Sequence, residues 1–374
     1  MTDAVRQNLQ STLGNAYTLE RELGGGGMSR VFVAEETALR RKVVVKLLPP
    51  DLIADVNLER FNREILLAAG LQHPHIVPVL SAGEMDGVPY YTMPLVEGES
   101  LRARLAQHGA LSIVATIGVL RDVAKALAYA HDHGVVHRDI KPDNVLLSGG
   151  SATVTDFGIA KAITVSRTQP GQPLLTQAGT SLGTPAYMSP EQASGDPTTD
   201  HRADIYSFGC MAYELLTGRP PFVEQSPRKL LAAQMTAQPV AVDTLRPETP
   251  DELAELVMRC LAKEPEDRPQ RASDVVHVLE LATSGALHSS SGRSDGSALR
   301  RALSIYVAAF VVVVALAKAA IGGIGLPDWV LPGSIVVMAA GLPVILLTGY
   351  VQRVAHQVLT ATPTFTPGGS NLAH

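Results

Sequence analysis

The sequence predicts an α+β fold in two lobes, a small β-rich N-terminal lobe and a larger α-helical C-terminal lobe, followed by a two-helix transmembrane hairpin. Three observations lead there. Short β-branched and aromatic runs bounded by glycine or charge dominate as far as Pro94, helical apolar spacing dominates from Leu101 to about Leu281, and two long apolar stretches follow. At 374 residues the chain has room for about two domains and a sizeable core.

Residues 1–16 are polar and lack the apolar segment of a secretory signal, so they read as an N-terminal extension, and whatever precedes the first apolar stretch is expected in the cytoplasm. Val31-Phe32-Val33, Val43-Val44-Val45 and Tyr90-Tyr91-Thr92-Met93 read as strands. Between the second and third, Leu58 to Gly70 carries Phe61, Ile65, Ala68 and Ala69 near helical spacing, with Gly70 as the stop. Ile113 to His131, Asp251 to Lys263 and Ala272 to Leu281 read as amphipathic helices. No internal repeat is present.

Residues 282–302 are rich in Ser, Gly and Ala and read as a flexible juxtamembrane linker. Residues 303–324 then run for 22 positions with one charge, Lys318, and residues 329–351 run for 23 with none. Each is long enough to cross a hydrocarbon core of roughly 30 Å and is expected to be a transmembrane helix. Gly325-Leu326-Pro327-Asp328 allows only a tight turn between them. Arg300 and Arg301 precede the first stretch and Arg353 and His356 follow the second, so the basic excess places both ends on the cytoplasmic side of the inner membrane. Trp329 and Tyr350 fall at the two interfaces, Lys318 is expected to snorkel outward or pair in an oligomer, and residues 352–374 read as a disordered tail.

The formal net charge of −5, from 31 basic and 36 acidic residues, weighs against a nucleic-acid partner. Cys210 and Cys260 lie in apolar helical contexts with no CxxC spacing, which predicts two buried, reduced thiols.

The residues that carry chemistry begin at Leu23-Gly24-Gly25-Gly26-Gly27-Met28-Ser29-Arg30-Val31. Four successive glycines remove Cβ atoms where backbone must approach another group, and free N–H groups in such a turn can cradle phosphate oxygens, although glycine runs are also plain hairpin turns. Lys46 ends an apolar strand, where a charge is costly unless paired, and Glu64 on the following helix supplies a carboxylate. His137-Arg138-Asp139-Ile140-Lys141-Pro142-Asp143-Asn144 follows a long helix, and Asp156-Phe157-Gly158 follows a short strand. Phosphoryl transfer needs this inventory: a carboxylate for a hydroxyl proton, a lysine on the phosphates, and hard oxygen ligands for a divalent cation.

From Tyr17 to about Leu281, about 70% of the chain, these motifs in this order resemble the protein kinase family. The resemblance implies that Gly24, Gly26 and Ser29, with Gly25, Gly27, Met28 and Arg30, cover the phosphates of ATP. Lys46 would grip the α- and β-phosphates and pair with Glu64. Asp139 would be the catalytic aspartate, and Asn144 and Asp156 would hold Mg²⁺, with Mn²⁺ as an alternative. Ser189-Pro190-Glu191 stands where the family has Ala-Pro-Glu, Asp204 matches its anchoring aspartate, and Arg268 the arginine that pairs with Glu191. Lys141 resembles the marker of serine/threonine specificity, and Thr184 in Gly183-Thr184-Pro185 would bond Asp139 and Lys141. Met28, Arg60 to Ile65 and Ser189 to Gln192 are similar to bacterial eukaryotic-like members.

Leu23, Val31, Val44, Met93, Pro94, Val96 and Leu146 would line the adenine slot. Val44 replaces a common alanine and narrows that slot. Pro94 follows Met93, the implied gatekeeper, while Val96 keeps the N–H and C=O that adenine uses. Arg138 would pair with a phosphate on the activation loop, residues 159–188, with Thr176 and Thr180 as the favoured acceptors among Thr164, Ser166, Thr168 and Ser181. Expected partners are ATP, protein substrates with Ser or Thr acceptors and the lipid bilayer, with a homodimer left open. The rival readings are a pseudokinase scaffold and a small-molecule phosphotransferase.

Overall fold

A computed structural model describes residues 2–23, 30–48, 58–157 and 185–282, and beyond these only Lys318 and Pro332. The N-terminal lobe contains α1 (Thr2–Leu13), β1 (Tyr17–Glu22), β2 (Arg30–Glu36), β3 (Arg41–Leu47), α2 (Leu58–Ala69), β4 (Ser81–Met85) and β5 (Val88–Pro94). The five strands form one antiparallel sheet in the order β1-β2-β3-β5-β4. Asp86 and Gly87 both take positive φ in the turn between β4 and β5, which matches the right-handed twist of a two-residue hairpin.

The alternation of strand side chains divides this sheet into two faces. On one, Phe32, Ala34, Val43, Val45 and Leu47 are buried together with Leu9 and Leu13 of α1. The N-terminal extension expected over residues 1–16 therefore contains a helix that seals the outer face of the sheet. Gln10 clamps its end, accepting from the Leu19 N–H at 2.7 Å and donating to the Tyr17 carbonyl at 2.9 Å. The opposite face carries Val31, Val33, Val44, Lys46, Tyr91 and Met93, and this is the face that matters for the site.

The helical lobe begins with β6 (Glu99–Ser100), α3 (Leu101–His108) and α4 (Ile113–Asp132), continues through β7 (Val145–Ser148) and β8 (Ser151–Val154), and includes α5 (Pro190–Ser194), α6 (Arg202–Thr217), α7 (Pro227–Thr236), α8 (Val242–Leu245), α9 (Asp251–Cys260) and α10 (residues 272–282). Ser100 and Ser112 cap α3 and α4, each accepting an N–H three residues on. Every residue of α6 from Ala203 to Leu216 is buried, so this helix is the axis of the lobe. The stretch expected as a helix to Lys263 ends at Cys260. Pro265 disfavours helical backbone at the residue before it, and the Arg268 guanidinium captures the carbonyls of Ala262 and Lys263.

The chain divides into two compact units, Met1–Ala286 and Leu287–His374. The two expected membrane helices fall in the second and lie outside the described residues except for Lys318 and Pro332, both helical and exposed. Among the described residues no helix is long and apolar enough to cross a membrane.

Candidate active site

The register of β3 on β5 builds one wall of the site. Val44 lies opposite Met93 and Lys46 opposite Tyr91, and directly opposed residues of an antiparallel pair share a face. Val31 stands opposite Lys46 from β2. From this face the Lys46 ammonium reaches Asp156 Oδ2 at 2.7 Å, bridging 110 residues of sequence. Tyr91 donates its hydroxyl to Asp156 Oδ1 at 2.5 Å. Burial alone would raise the Asp156 pKa, but the charge of Lys46 and the hydrogen bonds from Lys46 and Tyr91 outweigh it and hold the carboxyl below its ordinary range. Asp156 is therefore an ionised carboxylate with a bound counter-charge.

The second wall is the loop after α4. Asp139 Oδ2 accepts from Lys141 Nζ at 2.7 Å and from Asn144 Nδ2 at 3.0 Å, and Asn144 Nδ2 also donates to the Asp139 carbonyl at 2.8 Å. A 3-10 turn, Pro142–Asn144, brings Asn144 back onto Asp139. The Asn144 carbonyl in turn accepts the Thr155 N–H at 3.0 Å, tying this loop to the residue before Asp156. The Thr155 hydroxyl reaches Met93 Sδ at 3.3 Å, so the same short segment touches both walls.

Burial fixes the loop from behind. His137 is fully buried; its Nε2–H donates to the Thr155 carbonyl at 2.9 Å and its Nδ1 accepts the Asp139 N–H at 3.2 Å, a pattern that defines the tautomer. The ring also meets Phe157 edge-on at 4.7 Å. Asp204, fully buried on α6, accepts the N–H groups of His137 at 2.8 Å and Arg138 at 2.6 Å and bonds His131 Nε2 at 2.8 Å. These anchors hold Arg138 at φ +68°, a backbone conformation that L residues rarely adopt. Gln192 closes the arrangement from α5. Its Oε1 accepts the Ser189 N–H in a capping box, and its Nε2 donates to the Arg138 carbonyl at 2.9 Å.

The structure thus brings together Lys46 with Asp156, Asp139 with Lys141 and Asn144, Val44 with Met93, and Glu191 with Arg268. Leu146 is half-buried on β7, Val96 and Pro94 are half-buried at the end of β5, and Leu23 lies exposed at the end of β1 with its N–H on the Val31 carbonyl. Glu64 stands half-buried on α2. Gly24 to Ser29, Gly158, Thr176, Thr180 and Thr184 lie outside the described residues. Reading by motif missed the parts of Tyr91, His137 and Gln192. Tyr91 was detectable, since strand alternation places it on the Met93 face, two residues away.

Asn144 and Asp156 fit a hard divalent cation. Both offer oxygen, Asp156 is ionised, and the two bonds from Asn144 Nδ2 to Asp139 leave the amide oxygen as its accepting end. Among the described residues no group of three or more His, Cys, Asp or Glu could hold a metal alone. Mg²⁺ usually takes one or two carboxylates plus substrate phosphates, so a two-residue set suits it.

A family profile described as protein kinase domain matches residues 17–279. The serine/threonine-protein kinase PknD of Mycobacterium tuberculosis is 40% identical over 304 residues, covering 80% of this chain and 44% of the relative. PknB of Mycolicibacterium smegmatis, also a serine/threonine-protein kinase, is 39% identical over 269 residues, 70% of this chain and 42% of the relative. A probable serine/threonine-protein kinase of Corynebacterium efficiens, CE0033, is 38% identical over 285 residues, 74% and 42%. The chain spans about two-fifths of the length of these curated relatives.

Proposed function

With that match over residues 17–279, this chain belongs to the protein kinase domain family, and from this premise we propose that it is an ATP-dependent serine/threonine protein kinase of the bacterial eukaryotic-like type, anchored at the cytoplasmic face of the inner membrane. One observation carries the catalytic part. Residues scattered from 46 to 156 converge in two hydrogen-bonded pieces, Lys46 with Asp156 and Asp139 with Lys141 and Asn144, joined through Thr155.

Each residue then has a task. Asp139 orients the acceptor hydroxyl and takes its proton. Lys141, already at 2.7 Å from Asp139, neutralises charge beside the transferred phosphate. Lys46 grips the nucleotide phosphates with the glycine run 24–27 and Ser29 above them, while Val44, Met93, Val96, Leu146, Val31 and Leu23 wall the adenine. Asn144 and Asp156 hold Mg²⁺, or Mn²⁺ in its place; when bound, the cation offsets negative charge on the phosphates. Thr184 steadies Asp139 and Lys141 beneath the acceptor.

Arg138 supports regulation by a phosphate on Thr176 or Thr180, since its buried Nε–H finds no acceptor among the described residues. The membrane part of the reading is supported by the two apolar stretches, 303–324 and 329–351, beyond a kinase domain spanning 17–281 and a linker over 282–302.

The purified chain incubated with labelled ATP and Mg²⁺ should incorporate phosphate on its own Ser or Thr residues, mapped by mass spectrometry. Asp139→Ala should lower the rate by at least about 100-fold without changing the far-ultraviolet circular dichroism. Incorporation within tenfold of the parent would reject the role of Asp139 and return the chain to a nucleotide-binding scaffold.

A further inference from the structure

Tyr91 carries an atom that strand packing does not require. The residue is 1% exposed, and a phenylalanine would fill the same space without a buried hydroxyl to satisfy. An unpaired buried hydroxyl is unfavourable, so its bond to Asp156 Oδ1 at 2.5 Å accounts for its presence. Lys46, its cross-strand partner, holds the other oxygen, Oδ2, at 2.7 Å. The carboxylate is therefore held at both ends by two side chains that face one another on neighbouring strands.

Asp156 needs such anchoring. Its φ is +67°, a conformation an L residue keeps only where its surroundings over-determine it. Strand β5 touches this segment twice, through Met93 on Thr155 and Tyr91 on Asp156. Each carboxylate oxygen accepts about two hydrogen bonds or ligands, so both keep one free position after Tyr91 and Lys46 have taken theirs.

We propose that Tyr91 is a positioning residue: its phenol fixes the Asp156 oxygen that Lys46 leaves unheld, so that the carboxylate meets the divalent cation in one orientation. This rests on the reading of Asp156 as a metal-holding residue of a kinase. It adds to that reading a donor from β5 that acts on the metal without touching nucleotide or acceptor.

The test uses the full chain in detergent, ADP, and Mn²⁺ as the probe, with bound Mn²⁺ followed by electron paramagnetic resonance. Tyr91→Phe deletes one oxygen and keeps the ring. It should weaken Mn²⁺ binding in the ADP complex about five- to tenfold while ADP affinity without metal stays within twofold. In an Asp156→Asn background the same substitution should change Mn²⁺ affinity by less than twofold, because the group it acts through is altered. In turnover, the Mg²⁺ concentration for half-maximal rate should rise while KM for the protein acceptor is unchanged. Unchanged Mn²⁺ affinity would overturn the proposal, and tighter binding would overturn it in the opposite sense, making Tyr91 a competitor of the metal. If Tyr91→Phe does not fold by circular dichroism, Tyr91→His keeps a ring-borne donor: Mn²⁺ affinity within threefold of the parent supports the role, and a loss beyond tenfold rejects it. If the parent binds Mn²⁺·ADP as described but transfers no phosphate, the kinase reading fails while the Tyr91 comparison still stands.

Discussion

Arg268 is 1% exposed, yet all five of its N–H groups find acceptors. Two go to the Glu191 carboxylate at 2.7 and 2.8 Å, and the others to the carbonyls of Ala262, Arg202 and Lys263. Only a planar fork can serve both a carboxylate and three carbonyls, so lysine would not substitute. Asp204 solves the inverse problem, a fully buried anion surrounded by donors. Burial alone would raise its pKa, but the His131 hydrogen bond, the neighbouring His131 and His137 and the Arg138 N–H hold it below its ordinary value of 3.8. A depressed folded pKa means that this stabilisation is complete above 3.8 and is lost as the pH falls towards the folded value. Asp204→Asn should therefore cost about 3–5 kcal/mol near neutral pH. The gap to the parent should narrow as the pH is lowered below 3.8, measured by urea unfolding at a series of pH values. A gap that stays constant through that range would show that charge has no part in the anchor. The two thiols follow the same rule of burial: Cys210 and Cys260 are fully buried and unpaired with each other, and desolvation pushes Cys260 up to about 12.

Among the elements, α1 shows how a polar segment becomes structural. Its composition reads as an extension, but Leu9 is 0% and Leu13 5% exposed against Phe32, Val43 and Val45. Without it, the outer face of the five-stranded sheet would meet water, at about 25 cal/mol for each Å² of apolar surface. Leu9→Ala should lower stability by about 2–5 kcal/mol in chemical denaturation. A loss below about 0.5 kcal/mol, the range of ordinary surface substitutions, would mean that α1 does not belong to the lobe's core. In the helical lobe α6 and α9 approach so closely that a Cβ on Gly209 would lie 2.7 Å from the Cβ of Cys260. That contact sets the spacing of the two helices, and α6 in turn carries Asp204 to the back of the loop that bears Asp139.

For the molecule as a whole, two apolar clusters support two kinds of element, a sheet sealed by α1 and a helical lobe around α6. A parallel bridge pairs Ile76 with Val154, and Val77 N–H on the Val154 carbonyl with Val154 N–H on the His75 carbonyl ties residues 75–77 to β8, two residues before Asp156. The full chain expressed in a bacterial host should sediment with membranes and need detergent for release, whereas a chain ending at residue 299 should remain in the supernatant. Full-length protein found in the high-speed supernatant without detergent would remove the hairpin.

The strands at 30–36, 41–47 and 88–94 and the helices α2, α4 and α10 were legible in the sequence because their signals are local: β-branched runs, apolar spacing or a glycine at a stop. The grouping of Asp139, Lys141, Asn144 and Asp156 was legible too, since they lie within a short stretch and their order is itself a pattern. Tertiary structure alone decided that Lys46 meets Asp156, that Tyr91 shares that carboxylate, that Leu9 closes the sheet, and that Asp204 holds Arg138 at positive φ. Each of these joins residues far apart in the chain through strand register and burial. Periodicity says which face a side chain occupies, and only packing says what it meets there.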